Sequence, residues 1–96
     1  MDKLLVVFTM KGCPYCDIMK ESLDKLGVEY VVRDIDEYKE EYDLFVEVTE
    51  NEFVPAFMII ENSKSEKPNS LLFAPERDFN QVEEGVDIIK EHLGLN

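Results

Sequence analysis

The chain has 96 residues, 45% of them hydrophobic, which suits one domain over residues 1–96 whose core needs neither a disulfide staple nor a structural metal. Lys plus Arg number 10 and Asp plus Glu 22, for a formal charge of -12. That balance argues against nucleic-acid and anionic-membrane partners, which need a basic face, and favours solubility or a partner with a positive patch.

The opening "MDKLLVVFTMKGC" has only a short apolar core, Leu4 to Phe8, and no small-residue cleavage site after it, so it does not read as a signal peptide. No run approaches the ~18 apolar residues of a membrane span. The expected compartment is the reducing cytoplasm, where a lone cysteine pair is catalytic or metal-binding rather than a staple. A bridge across so short a loop would also gain little in entropy.

Leu4–Phe8, unbroken, apolar and rich in branched residues, predicts a strand buried on both faces. Gly12 then breaks the chain. From Pro14, apolar residues at Tyr15, Ile18, Met19, Leu23 and Leu26 keep helical spacing. Pro14 suits the first helical turn, where its missing N–H costs nothing, and Gly27 suits a left-handed closing residue. Val28–Ile35 predicts a second strand, and a strand–helix–strand unit of about thirty residues makes the two strands parallel. Asp36 can cap a second helix over 37–48, with Tyr38, Tyr42, Phe45 and Val48 inward and Glu37, Glu40, Glu41 and Glu47 facing water. Ala56–Ile60 predicts a third strand, the polar stretch 61–69 a hairpin connection, and Ser70–Ala74 a fourth strand. Asp78 with Gln81 resembles a capping box opening a last helix over 79–93, striped by Val82, Val86, Ile89 and Leu93. Gly85 should weaken that helix by about 1 kcal/mol relative to Ala, and Gly94 should end it. The order is β-α-β-α-β-β-α, an α/β chain with a four-stranded mixed sheet and helices on its faces.

Both cysteines fall in "TMKGCPYCDIMK". A free thiol has a pKa near 8.5, and the thiolate is the nucleophile. Cys13 falls just before the first helix, where unpaired N–H groups and the helix dipole favour an anion. Cys16 is three residues on, within reach across one turn. Cys13 therefore reads as the attacking thiol and Cys16 as the more buried resolving thiol, which displaces a mixed disulfide. Lys11 either supports the thiolate or is an exposed loop lysine. Tyr15 either packs in the core or walls a substrate groove, and its place beside a reactive thiol favours the groove. A C-x-x-C pair can also supply half of a zinc or iron–sulfur site, but no second pair exists here. The only histidine, His92, suits the surface of a last helical turn.

"FTMKGCPYC", the amphipathic helix after it and "FVPAF" resemble a glutaredoxin of the dithiol, C-P-Y-C type, and the likeness runs along essentially the whole chain. The resemblance implies a thioredoxin-like fold and a glutathione-dependent thiol–disulfide oxidoreductase acting on protein disulfides and glutathione mixed disulfides. It further implies a cis peptide between Val54 and Pro55, with the Val54 backbone pairing with bound glutathione. By pattern alone, Pro55 equally well starts an edge strand. The family's helix start holds the γ-glutamyl end of glutathione, so by resemblance Arg77 meets its carboxylate and Asp78 its amine; by pattern alone Asp78 is a cap.

Three departures stand out. Met10 occupies the usual lysine position, with Lys11 one residue late. Phe53 replaces the threonine of Thr-Val-Pro. Ala74-Pro75 replaces Gly-Gly, which narrows the cleft or stops close backbone approach. The expected chain is a monomer with no permanently bound cofactor and no metal, using glutathione as reducing co-substrate and disulfide-containing proteins as substrates. Two other readings compete. One is a redoxin recharged by a flavoprotein reductase, as a donor to an enzyme such as ribonucleotide reductase. The other is an iron–sulfur-bridged binding module, which Pro14 disfavours.

Overall fold

Leu5, Val6, Val7 and Phe8 are all buried, and they alternate between two cores on opposite faces of one sheet. The computed structural model describes residues 3–62, 64 and 66–95. Its elements run β1 (Lys3–Thr9), α1 (Pro14–Leu26), β2 (Val31–Asp34), α2 (Lys39–Thr49), β3 (Ala56–Glu61), β4 (Asn69–Phe73) and α3 (Val82–Leu93). The sheet order is β2-β1-β3-β4. β1 pairs in parallel with β2, with Val6 opposite Val31, and antiparallel with β3, with Val7 opposite Phe57. β3 and β4 form the antiparallel hairpin, with Met58 opposite Leu72.

This is the four-stranded mixed α/β sheet that the pattern implied and the thioredoxin-like fold that the resemblance implied, with helices on both faces. β1 and β3 are central and need apolar side chains on both sides, which is why their sequences do not alternate with polar residues. On one face Leu5, Val7, Phe57 and Ile59 meet Met19 and Leu23 of α1 and Val82, Val86 and Ile89 of α3. On the other, Val6, Phe8 and Ala56 meet Tyr42 and Phe45 of α2, where the Phe8 ring lies 5.0 Å from Phe45 and 5.6 Å from Tyr42.

Several element ends differ from expectation, each for a local reason. β2 is shorter than 28–35, because Val28 spends its N–H on the Leu23 carbonyl in closing α1 (3.2 Å). Tyr30 donates its hydroxyl to Asp24 Oδ1 (2.8 Å), and burial, then that carboxylate, pushes the phenol up to about 12. Asp36 does not cap α2. The Asp34 carboxylate accepts the Asp36 N–H (2.9 Å), the Asp34 carbonyl accepts those of Glu37 and Tyr38, and the helix begins after Tyr38. The inner face of α2 is Tyr42, Phe45 and Thr49; Val48 is 66% exposed. Buried Thr49 satisfies its hydroxyl on the Phe45 carbonyl (2.8 Å). The four glutamates assigned to the outside of α2 are exposed. His92, expected on the surface, is half-buried with its ring 5.4 Å from Phe73. In the hairpin loop, Ser63 and Ser65 lie outside the described residues.

The largest correction concerns α3, which starts at Val82 rather than at 79. Glu84 Oε1 accepts the Gln81 N–H (3.1 Å), so the cap is Gln81 with Glu84 and not Asp78 with Gln81. Asp78 instead closes a turn after β4. Its Oδ2 accepts the Ala74 N–H (2.9 Å) and its own N–H returns to the Ala74 carbonyl (2.9 Å). Phe79, read as helical, is a buried loop residue stacked 5.5 Å from Phe57. Gly85 also has a role beyond lowering helix propensity. A Cβ there would sit 3.0 Å from Met19 Cε and 3.2 Å from the Phe79 ring, so the missing side chain lets α3 close on α1 and on the turn before α3.

Candidate active site

A tight turn delivers Cys13 to the start of α1. Gly12 takes a φ of +78°, a conformation that L side chains rarely adopt, and the Cys13 N–H bonds the Met10 carbonyl (3.3 Å). Cys13 is the N-cap of α1, with Pro14 at the first helical position. Its Sγ accepts the Cys16 N–H (3.1 Å), so an otherwise unpaired donor of the first turn points at this sulfur. The two cysteines form a disulfide with Cα atoms 5.3 Å apart. Cys16 is 1% exposed and Cys13 7%. The helix therefore offers one sulfur at its edge and keeps the other beneath it, the asymmetry that an attacking and a resolving thiol require.

A cleft of about 390 Å³ opens against Tyr15, which lies between the two cysteines in the chain. Tyr15 and Ile18 of α1, Val54 and Pro55, Pro75, and the residues opening α3 from Asn80 to Glu83 form its walls. Tyr15 is 64% exposed. The Val54–Pro55 peptide is cis. Among the described residues, no backbone hydrogen bond outside helices and strands engages Val54, so its N–H and carbonyl are open to a ligand's main chain.

Asn51 joins two of the walls. Its Nδ2 donates to the Pro75 carbonyl (2.6 Å), and its Oδ1 accepts the Phe53 N–H (2.9 Å), fastening the Val54–Pro55 segment to the turn after β4. Sequence reading passed over Asn51, because its partner lies 24 positions away. It also passed over Ile18, Asn80, Gln81 and Glu83 as cleft walls, having read Gln81 only as part of a cap. The Gln81-x-x-Glu84 spacing was the available signal for the last group, since it places the helix start correctly.

The structure therefore brings Tyr15, from between the two cysteines, together with Val54 and Pro55 in one cleft. Lys11 is exposed in the turn and does not line the cleft. Neither do Arg77 and Asp78, whose side chains meet each other (Arg77 Nη1 to Asp78 Oδ2, 3.3 Å). Asp78 lies in the turn before α3 and not at the start of that helix, where the resemblance would have it. Among the described residues, no group of three or more His, Cys, Asp or Glu is placed to hold a metal, and no helix is long and apolar enough to cross a membrane.

Comparison with known proteins meets this geometry from outside. Residues 5–63 match the family model described as Glutaredoxin. A buckwheat glutaredoxin, solved as its glutathione complex, shares 28% identity over 57% of this chain and 53% of its own, with a TM-score of 0.51. The aligned part thus spans about half of the buckwheat chain. A structure described only as a malarial protein aligns over 97% of this chain and 99% of its own at 17% identity and a TM-score of 0.55, a likeness of fold. No curated protein sequence matches. The matched segment holds the cysteine pair and the Val54–Pro55 turn but ends before β4, so Pro75 and Asn80–Glu83 lie outside it.

Proposed function

Because the chain belongs to the glutaredoxin family and carries a vicinal cysteine pair, we propose that it is a small dithiol glutaredoxin, reducing protein disulfides and glutathione mixed disulfides with electrons from glutathione. The observation that carries this reading is Cys13 at the N-cap of α1, its sulfur accepting a backbone N–H and its bonded partner Cys16 buried one turn on.

In the reduced protein the Cys13 thiolate attacks one sulfur of the substrate disulfide. The Cys13–substrate bond forms, the substrate S–S bond breaks, and the departing thiolate takes a proton from water. Cys16 then gives up its proton and attacks the Cys13 sulfur, releasing the second substrate thiol and closing the Cys13–Cys16 bond. Two electrons pass from the protein dithiol to the substrate. Two glutathione molecules return them and leave as glutathione disulfide. Helix N–H groups stabilise the attacking anion throughout. The open Val54 backbone offers main-chain hydrogen bonds to an extended ligand, and Tyr15 lines the same cleft.

Cys13→Ser should abolish turnover of both substrate types. Cys16→Ser should retain reduction of glutathione mixed disulfides and lose reduction of protein disulfides. Stopped assays with the two substrates measure this, and equal loss of both activities in Cys16→Ser would contradict the assigned roles.

One observation favours a second recycling partner. Among the described residues no Lys or Arg lines the cleft, whereas glutathione carries two carboxylates. A flavoprotein reductase in place of glutathione is the alternative. Recycling rates with glutathione plus glutathione reductase, against thioredoxin reductase, separate the two.

A further inference from the structure

The cleft walls divide into two kinds of surface. Tyr15 and Ile18 present exposed apolar side chains at its α1 edge, and Phe53, 56% exposed and next in the chain to Val54, lines a neighbouring hollow. Glutathione has no apolar side chain to cover such a rim, but a polypeptide does. The charged part of the wall is Glu83, in the first turn of α3. Asn80 and Gln81 beside it are neutral.

A helix start ordinarily welcomes an anion. Here the first turn already carries Glu83 and Glu84, and Glu84 is spent on the Gln81 N–H. Beyond the rim, a hollow next to Phe53 is lined by Glu50 and Glu52. The cations nearby in sequence do not line the cleft; Arg77 pairs with Asp78 and Lys11 lies outside the wall. A ligand carboxylate entering the α3 end is repelled, and an ammonium or guanidinium is attracted. Pro75 and Glu83, which set this character, fall outside the segment that matches the family model.

We infer that the preferred substrate of this cleft is a disulfide-bearing polypeptide with basic and apolar residues beside its cysteine, and that Glu83 is the residue that sets this preference. The inference rests on the thiol–disulfide exchange proposed above and names its substrate class.

The test is single-turnover reduction by protein reduced beforehand with dithiothreitol and then freed of it. Three probes are compared: two synthetic peptide disulfides identical except for lysines or glutamates flanking the cysteine, and glutathione disulfide. Each rate is divided by that probe's rate with dithiothreitol alone, which removes differences in leaving-group reactivity. The lysine peptide should react about tenfold faster than the glutamate peptide at low ionic strength, with the ratio shrinking in high salt. It should also outpace glutathione disulfide. Glu83→Lys should cut the ratio at least about threefold by slowing the lysine peptide and speeding the glutamate one, and Glu83→Gln should give an intermediate value. Lysine and glutamate peptides reacting alike, glutathione disulfide reacting fastest, or a ratio unmoved by Glu83→Lys would each overturn the inference while leaving the exchange chemistry standing. No reaction with any of the three disulfides would overturn the exchange chemistry itself.

Discussion

Gly85 shows how one residue can carry opposite meanings in a sequence and in a fold. Read along the helix, it is a flaw that Ala would repair by about 1 kcal/mol. In the structure, a Cβ there meets Met19 and Phe79, both buried, at 3.0–3.2 Å. Overpacking a core of this kind costs about 1–3 kcal/mol, which outweighs the gain in propensity. Gly85→Ala should therefore destabilise the protein by up to about 2 kcal/mol, read as a lower urea midpoint with an unchanged slope. A midpoint that rises would return Gly85 to the helix-propensity reading. The cysteines stand at the other extreme. Their spacing, the glycine before them and the proline between them specify their surroundings almost completely, because an N-cap and the turn after it involve only residues close in the chain.

Between elements, the cleft depends on how two loops are tied. Asn51 holds the Pro75 carbonyl with its amide and the Phe53 N–H with its oxygen, so one side chain fixes the spacing of opposite walls. Asn51→Ala should cost about 1–2 kcal/mol by leaving both partners unmet, and should slow disulfide reduction because the walls lose their register. Asn51→Asp keeps the acceptor for Phe53 but faces Pro75 with a carboxylate, so it should rescue neither stability nor rate. Denaturation and single-turnover rates on the two variants check this, and a full-rate Asn51→Ala would remove the tie from the account. The start of α3 belongs to the same scale. Asp78 and Gln81 have the chemistry of a cap, yet the turn after β4 takes Asp78 for the Ala74 N–H and leaves the cap to Gln81 and Glu84. Two acceptable caps lay three residues apart, and the packing of Phe79 against Phe57 chose between them.

At the scale of the molecule, the two cores on either face of the sheet are each fastened by a phenol. Tyr30 anchors the approach to β2 on α1 through Asp24, and Tyr42 of α2 donates to the Glu52 carbonyl (2.6 Å). Burial raises both above the ordinary tyrosine value, Tyr30 to about 12, with Asp24 adding to the first and Glu52 and Asp43 to the second. A phenol whose pKa is raised by folding contributes fully below the unfolded value of about 10, where both states hold the proton. That contribution is lost as pH rises through the folded value, since the unfolded chain ionises first. Stability should accordingly fall between about pH 10 and 12. Tyr30→Phe should start lower but fall less steeply over that window, because it has one phenol fewer to ionise. Urea midpoints against pH measure both slopes, and parallel slopes would exclude Tyr30 as a source.

The apolar run of β1, the parallel β1–β2 unit, the β3–β4 hairpin and the seat of Cys13 were all readable from the chain alone. Each follows from residues near one another in sequence, through side-chain alternation, turn chemistry or capping. The cleft was readable only in part. Tyr15, Val54 and Pro55 carry recognisable local motifs, whereas Asn51, Glu83 and the space at Gly85 take their meaning from partners on other elements. Folding alone brought those partners together, because hydrogen-bond reach and van der Waals contact act across a few ångströms of space, whatever the separation along the chain.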